Sequence, residues 1–154
     1  MDPLIACAIK EEILRNVLKT HRTLLLTGWP GTGKTTTALK VSAEEAAVAY
    51  YSEAGKGVPS LFEKDSDTVL RVRDLSEMSA PSGRVLVVDD VAAAAPPLIS
   101  LLSEGRESRK VIVIATMLNA VRELLSLVDA VVRFKSTTAE LLHSRLRDLH
   151  ARSS

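Results

Sequence analysis

Two short segments of this chain carry groups whose types and spacing suit phosphate chemistry. The first is Gly28-Trp29-Pro30-Gly31-Thr32-Gly33-Lys34-Thr35, which meets the pattern G-x-x-x-x-G-K-[ST] at every fixed position. Glycines let a backbone aim several N–H groups into one cavity. A helix starting where the loop ends adds its positive terminus. Lys34 brings a point charge to the outer phosphates, and the Thr35 hydroxyl offers a hard oxygen ligand for Mg²⁺. Thr36 is a further candidate phosphate contact. A glycine turn with a chance Gly-Lys-Thr is the bland alternative. It does not explain a loop that follows an apolar strand and precedes a helical pattern.

The second segment is Val85-Leu86-Val87-Val88-Asp89-Asp90. It places two carboxylates at the C-terminal end of an apolar run, the edge where ligands bind in open α/β sheets. Asp89 is the candidate to hold the magnesium ion, directly or through its water. Asp90 is the candidate to orient or polarise an attacking water near a γ-phosphate. The competing account is a pair of aspartates that starts a turn or caps a helix.

These groups need elements to position them. Asp2-Pro3 reads as a helix start, and Ile5, Ile9, Ile13 and Val17 recur at spacing four, which predicts a core-facing helix to about Lys19. Thr23–Thr27 predicts a strand buried on both faces. Lys34 to about Glu45 reads as a helix, and Ala47–Tyr51 as a strand. Ser52 to Thr68 is irregular, with a short turn at Leu61-Phe62. A short strand at Val69–Val72 and a short helix at Asp74–Met78 follow, then a turn at Ala80–Gly83. Strands are predicted at Arg84–Val88, Val111–Ala115 and Ala130–Phe134, with helices from Leu98 to about Glu104 and from Leu118 to Val128. Thr137 and Glu140 form a capping box, which predicts a last helix over 137–152 carrying Leu141, Leu142, Leu146 and Leu149. Alternating elements with continuously apolar strands predict one three-layer α/β/α domain over 1–154, with about five parallel strands.

Composition narrows the function classes. The 154 residues are 46% hydrophobic and 25% charged with a formal net charge of +1, an ordinary globular balance that argues against a polycation coating nucleic acid. Aromatics are 3%, too few for reading single strands by base stacking. The lone Cys7 excludes a disulfide framework within the chain and suits a reduced compartment. No apolar run approaches the roughly 18 residues of a membrane span. The N-terminal stretch is no secretory signal, so a cytoplasmic protein is expected.

With these motifs in place, the chain resembles an additional-strand P-loop ATPase, most closely the AAA+ group. Its loop is similar to that family's Gly-x-Pro-Gly-Thr-Gly-Lys-Thr, and an Asp-Asp ending occurs in the initiator and helicase-loader branch. The resemblance implies ATP and Mg²⁺ as ligands and a P-loop fold. It also implies a polar sensor at the end of the next strand. Thr116, after Val111–Ala115, matches that position and would contact the water or the γ-phosphate; a turn cap is the other account of it. The resemblance further implies a homo-oligomer or a protein partner that completes the site, and DNA as a possible target. The chain departs from the family in having no separate lid domain, so the second sensor arginine has no counterpart. Arg106, Arg109, Arg122 and Arg133 sit in no diagnostic motif and read as solvated charge.

The function expected is therefore Mg²⁺-dependent ATP hydrolysis, with ATP favoured over GTP because no Asn-Lys-x-Asp motif is present. A nucleotide or small-molecule kinase is one alternative, and a non-hydrolysing ATP switch is another. Trp29 shields the phosphates, meets a partner or fills space. His21, His143 and His150 lack metal-ligand spacing and read as solvated or capping. Cys7 reads as a small core residue. The basic C-terminal end (Lys135, Arg145, Arg147, Arg152) reads as a solvated face, with contact to DNA phosphates as the alternative.

Overall fold

The computed structural model describes residues 2–63, 68–75, 85–103 and 109–145. Helix α1 spans Pro3–Thr20, capped by Asp2, whose Oδ1 accepts from the Leu4 N–H at 2.8 Å. Strand β1 (Thr23–Thr27) runs into the glycine loop and α2 (Lys34–Glu45). Then come β2 (Val48–Ser52), a 3₁₀ turn at Ser60–Phe62, β3 (Val69–Arg71), β4 (Val85–Val91) and α3 (Pro96–Ser103). Strand β5 (Lys110–Ala115), a 3₁₀ segment (Leu118–Ser126), β6 (Ala130–Phe134) and β7 (Ala139–Ser144) complete the described order.

The strands form one sheet in the order β3-β2-β4-β5-β1-β6-β7. Six are parallel, and β7 alone runs antiparallel to its neighbour β6. Alternate side chains build two cores, one on each face. Leu24, Leu26, Val85, Val87, Ile112 and Ile114 pack with Leu14 and Leu18 of α1 and Leu39 of α2. Leu25, Leu86, Val88, Val111 and Val113 pack with Leu98 and Leu102 of α3 and with Val121 and Leu124. Continuous apolar runs follow because both faces of a parallel sheet are covered. Each such side chain stabilises the fold by about 1.5–3 kcal/mol on burial. The three-layer α/β/α expectation thus holds, with seven strands in place of about five.

Several elements differ from the sequence reading. The helix expected from Thr137 is β7 over Ala139–Ser144; Leu146, Leu149 and the rest of 146–154 lie outside the described residues. Glu140, read as a helix-capping residue, instead pairs across the hairpin with Arg133 and Lys135. Cross-strand charges and ladder hydrogen bonds outweigh a local capping preference. Leu118–Ser126 is 3₁₀ and kinked at Val121, not α-helical. Helix α1 turns Ala6, Lys10, Leu14, Val17 and Leu18 to the core. Of the expected stripe only Val17 is buried, and Ile5 is 53% exposed. Cys7 is exposed as well, not a core residue. Much of the Asp74–Met78 helix and all of the Ala80–Gly83 turn lie outside the described residues, as does Arg84.

Candidate phosphate-binding site

The loop joins the C-terminal end of β1 to the start of α2, and its conformation depends on glycine at three points. Gly28, Gly31 and Gly33 have φ of 138°, 80° and 85°, a region other residues enter only with strain. At Gly28 space forbids a side chain too: an added Cβ would lie 2.4 Å from the Phe134 carbonyl oxygen of β6. Gly33 caps α2, and its carbonyl accepts the Thr37 N–H at 3.0 Å. The first N–H groups of α2 have no partners within the helix and face the loop's concavity, where an anion fits.

Pro30, Gly31, Gly33, Lys34, Thr35 and Thr36 line one cleft of about 290 Å³ together with Asp89, Asp90 and Thr116. The phosphate loop, the acidic pair and the β5 terminus therefore meet in one cleft. Gly28, Trp29 and Thr32 line an adjoining groove of about 850 Å³, which shares Pro30, Gly31 and Thr116 with the cleft. Trp29 is 79% exposed there, so it does not fill interior space.

Lys34 is buried at the base of the cleft. Its Nζ donates to the carbonyls of Gly28 at 2.6 Å and Trp29 at 2.9 Å. Burial lowers its pKa, and the charge of Asp89 acts in the opposite direction. Thr32 donates from Oγ1 to the same Trp29 carbonyl at 2.8 Å.

Asp89 is buried, and two hydroxyls donate to its Oδ2: Thr35 Oγ1 at 2.7 Å and Tyr50 OH at 2.8 Å. Its Oδ1 accepts the backbone N–H of Asp90 at 2.8 Å. Burial first, then the hydrogen bond to Asp89 and the charges of Asp89 and Asp90, raise the Tyr50 pKa far above its usual range, so the phenol stays a donor. The strand does not stop at the carboxylates. Strand β4 continues to Val91, with its register against β5 shifting between Val88 and Val91. Such bulges re-aim side chains. Asp90 has φ of 56°, alone among the described non-glycine residues in being positive. Its carboxylate accepts from Ser52 Oγ at 2.6 Å and lies 3.5 Å from Lys56 Nζ.

Thr116 follows β5, and its carbonyl accepts from Thr27 Oγ1 at 3.3 Å. Arg133 borders the adjoining groove and is paired with Glu140. Arg109 stands before β5, at the sheet end away from the cleft, and burial lowers its pKa, so it is not the solvated charge expected. Arg106 lies outside the described residues. His21 caps the C-terminus of α1 and is buried, with Nε2 at 2.7 Å from Ser144 Oγ. Tyr50, Ser52 and Lys56 were not found by sequence reasoning. A signal existed: Tyr50-Tyr51-Ser52 is a polar end to an apolar strand, on the ligand-binding edge.

The donor set suits a hard cation: one hydroxyl and one carboxylate converge, both oxygen donors. Among the described residues no cluster of three or more His, Cys, Asp or Glu offers a self-sufficient metal site. A divalent ion here would take its remaining oxygens from phosphate and water, as magnesium does. Among the described residues no helix is long and apolar enough to cross a membrane.

Residues 24–152 match the family model described as the ATPase family associated with various cellular activities. No curated protein matches the chain in sequence. Among solved structures, the VirB11 ATPase of the Brucella suis type IV secretion system aligns with TM-score 0.62 and 16% identity over 92% of this chain. The chain spans 54% of that protein's length. The RadB recombinase aligns with TM-score 0.58 and 18% identity, covering 82% of each chain. The flagellar accessory protein FlaH of Methanocaldococcus jannaschii aligns with TM-score 0.54 and 12% identity, over 81% of this chain and 79% of its own. At these identities the likeness is one of fold.

Proposed function

This chain belongs to the ATPase family associated with various cellular activities, and from that premise we propose that it binds ATP with Mg²⁺ and hydrolyses it at the cleft between the glycine loop and Asp89-Asp90. The observation that carries this reading is the shared placement of Thr35 and Asp89, whose side chains meet at 2.7 Å beside Lys34 and the α2 N-terminus. A hydroxyl and a carboxylate so placed would supply two oxygen ligands to a magnesium ion at the mouth of an anion site.

Each residue has a role in this reading. The loop N–H groups and Lys34 hold the phosphates. Thr35 and Asp89 would hold the metal, which would neutralise charge on the phosphates. Tyr50 keeps Asp89 oriented. Asp90 accepts a proton from the attacking water, and Thr116 hydrogen-bonds the water or the γ-phosphate. Engaging water requires Asp90 to exchange its bonds to Ser52 and Lys56. No arginine among the described residues lines the phosphate cleft, so slow basal turnover is expected, raised by a second copy or a partner that brings a cation. DNA is a proposal from the family alone. The lone cysteine suits a reduced, cytoplasmic setting.

Calorimetry with ATP and Mg²⁺, followed by product analysis, tests the reading. Binding with release of free phosphate supports it. A phosphorylated acceptor moves the assignment to a kinase. Binding with equal, near-zero turnover in wild type and Asp90→Ala moves it to a nucleotide switch. No heat of binding for any purine triphosphate removes it.

A further inference from the structure

Lys10 is the charged residue that the site as described leaves unused. It lies on α1, is only 6% exposed, and points under the phosphate loop rather than to solvent. Its Nζ donates to the Thr32 carbonyl at 2.7 Å and stands 6.0 Å from the centre of the Phe134 ring. Among the described residues no carboxylate pairs with it. A buried ammonium without a counter-charge is costly, which makes an anion nearby the natural complement.

The bond also has a geometric effect. A trans peptide is planar, so its carbonyl and N–H point in opposite directions, and no cis bond is present among the described residues. Drawing the Thr32 carbonyl down to Lys10 therefore turns the Gly33 N–H up, on the side where Gly33 and Lys34 line the cleft. Gly33 itself has φ of 85°. Without an external tether such a peptide is free to rotate.

We propose that Lys10 is a positioning residue for triphosphate binding: it fixes the Thr32–Gly33 peptide with its N–H toward the phosphates and adds a second positive charge beneath them. Helix α1 thereby becomes part of the phosphate cradle. The inference rests on the ATP-binding reading above.

The test uses the full chain and calorimetry with a non-hydrolysable ATP analogue and Mg²⁺, on wild type, Lys10→Met and Lys10→Arg. Unliganded melting curves are recorded beside it. Removing a charge-assisted hydrogen bond should weaken analogue binding about tenfold or more. Lys10→Arg, which keeps cation and donors, should recover most of that loss. The melting midpoint of Lys10→Met should not fall, since Met fills the site without burying a charge. The intrinsic fluorescence of Trp29, the single tryptophan, should shift in unliganded Lys10→Met as the loop relaxes.

Equal affinity in wild type and Lys10→Met overturns the inference while leaving ATP binding intact. So does an affinity loss that tracks a lower midpoint and is not recovered by Lys10→Arg. Should Lys10→Met not fold, Lys10→Gln takes its place, and if neither folds the lysine is a structural prop and the inference fails. Absence of binding by wild type overturns the ATP reading itself.

Discussion

Thr35 and Asp89, 54 residues apart in sequence, meet in a hydrogen bond of 2.7 Å from the threonine hydroxyl to the carboxylate Oδ2. The same oxygen accepts from Tyr50 at 2.8 Å. Helix α2, which follows the phosphate loop, and strands β2 and β4 are thus tied at one atom.

Asp89→Asn keeps an oxygen acceptor for both hydroxyls but removes the charge that attracts a divalent ion. Hydrolysis should fall on the order of 10²–10³-fold, by analogy with loss of one electrostatic contact in a desolvated site. The magnesium concentration for half-maximal turnover should rise. Phosphate release measured against a magnesium series checks both; unchanged curves would remove Asp89 from the metal site.

Asp90 separates chemistry from backbone strain. Asn tolerates the left-handed region and still accepts from Ser52, so Asp90→Asn should leave stability within about 0.5 kcal/mol of wild type. Turnover should drop by about 10²–10⁴-fold if the carboxylate acts as base. Asp90→Ala should lose turnover similarly and also about 1–2 kcal/mol of stability, because alanine lacks the short polar side chain that eases the left-handed conformation and accepts from Ser52. Denaturation curves and phosphate release on the two variants test this pair.

Gly28→Ala faces both a backbone and a packing obstacle, because φ is 138° and the new Cβ would lie 2.4 Å from Phe134 O. The strand ends of β1 and β6 must part to admit it. A destabilisation of about 1–3 kcal/mol is expected from strain of this kind, read from urea midpoints. Nucleotide affinity should fall as well, since the loop begins at this residue.

Alkaline pH should expose the Tyr50–Asp89 contact. The folded-state pKa of Tyr50 is raised above its ordinary 10.0, so between those values the unfolded chain has lost a proton that the folded chain keeps. The unfolded state then binds fewer protons, and stability falls as pH rises. The contribution is whole below about pH 10 and declines above it. Tyr51 is shifted in the same direction by burial and by Glu53 and Asp74. Tyr50→Phe should therefore reduce the alkaline slope without abolishing it, as urea midpoints between pH 9 and 11 would show.

Much of the scaffold could be read from the chain. The apolar runs of β1, β4, β5 and β6 announce buried parallel strands because both their faces are covered, and Asp2-Pro3 announces α1. The face of α1 was harder. Its isoleucines at spacing four suggested the buried stripe, yet Ala6, Lys10 and Leu14 take that place. Small residues and a lysine stem are invisible to a count of large apolar side chains. Strand β7 was concealed by a local capping signature. Its pairing with β6 and the cross-strand charges of Glu140 come from the hairpin as a whole.

The sequence alone determined the phosphate loop, since a contiguous run of glycines, a lysine and a threonine before a helix makes its own anion site from local backbone geometry. Tertiary structure decided what surrounds that loop. Tyr50 reaches Asp89 because β2 lies beside β4. Asp90 takes its positive φ where β4 slips register against β5. Lys10 reaches Thr32 because α1 packs against α2, β6 and β7. Each contact joins segments far apart in the chain, and the free energy that holds it comes from burial across the whole sheet, which no local pattern encodes.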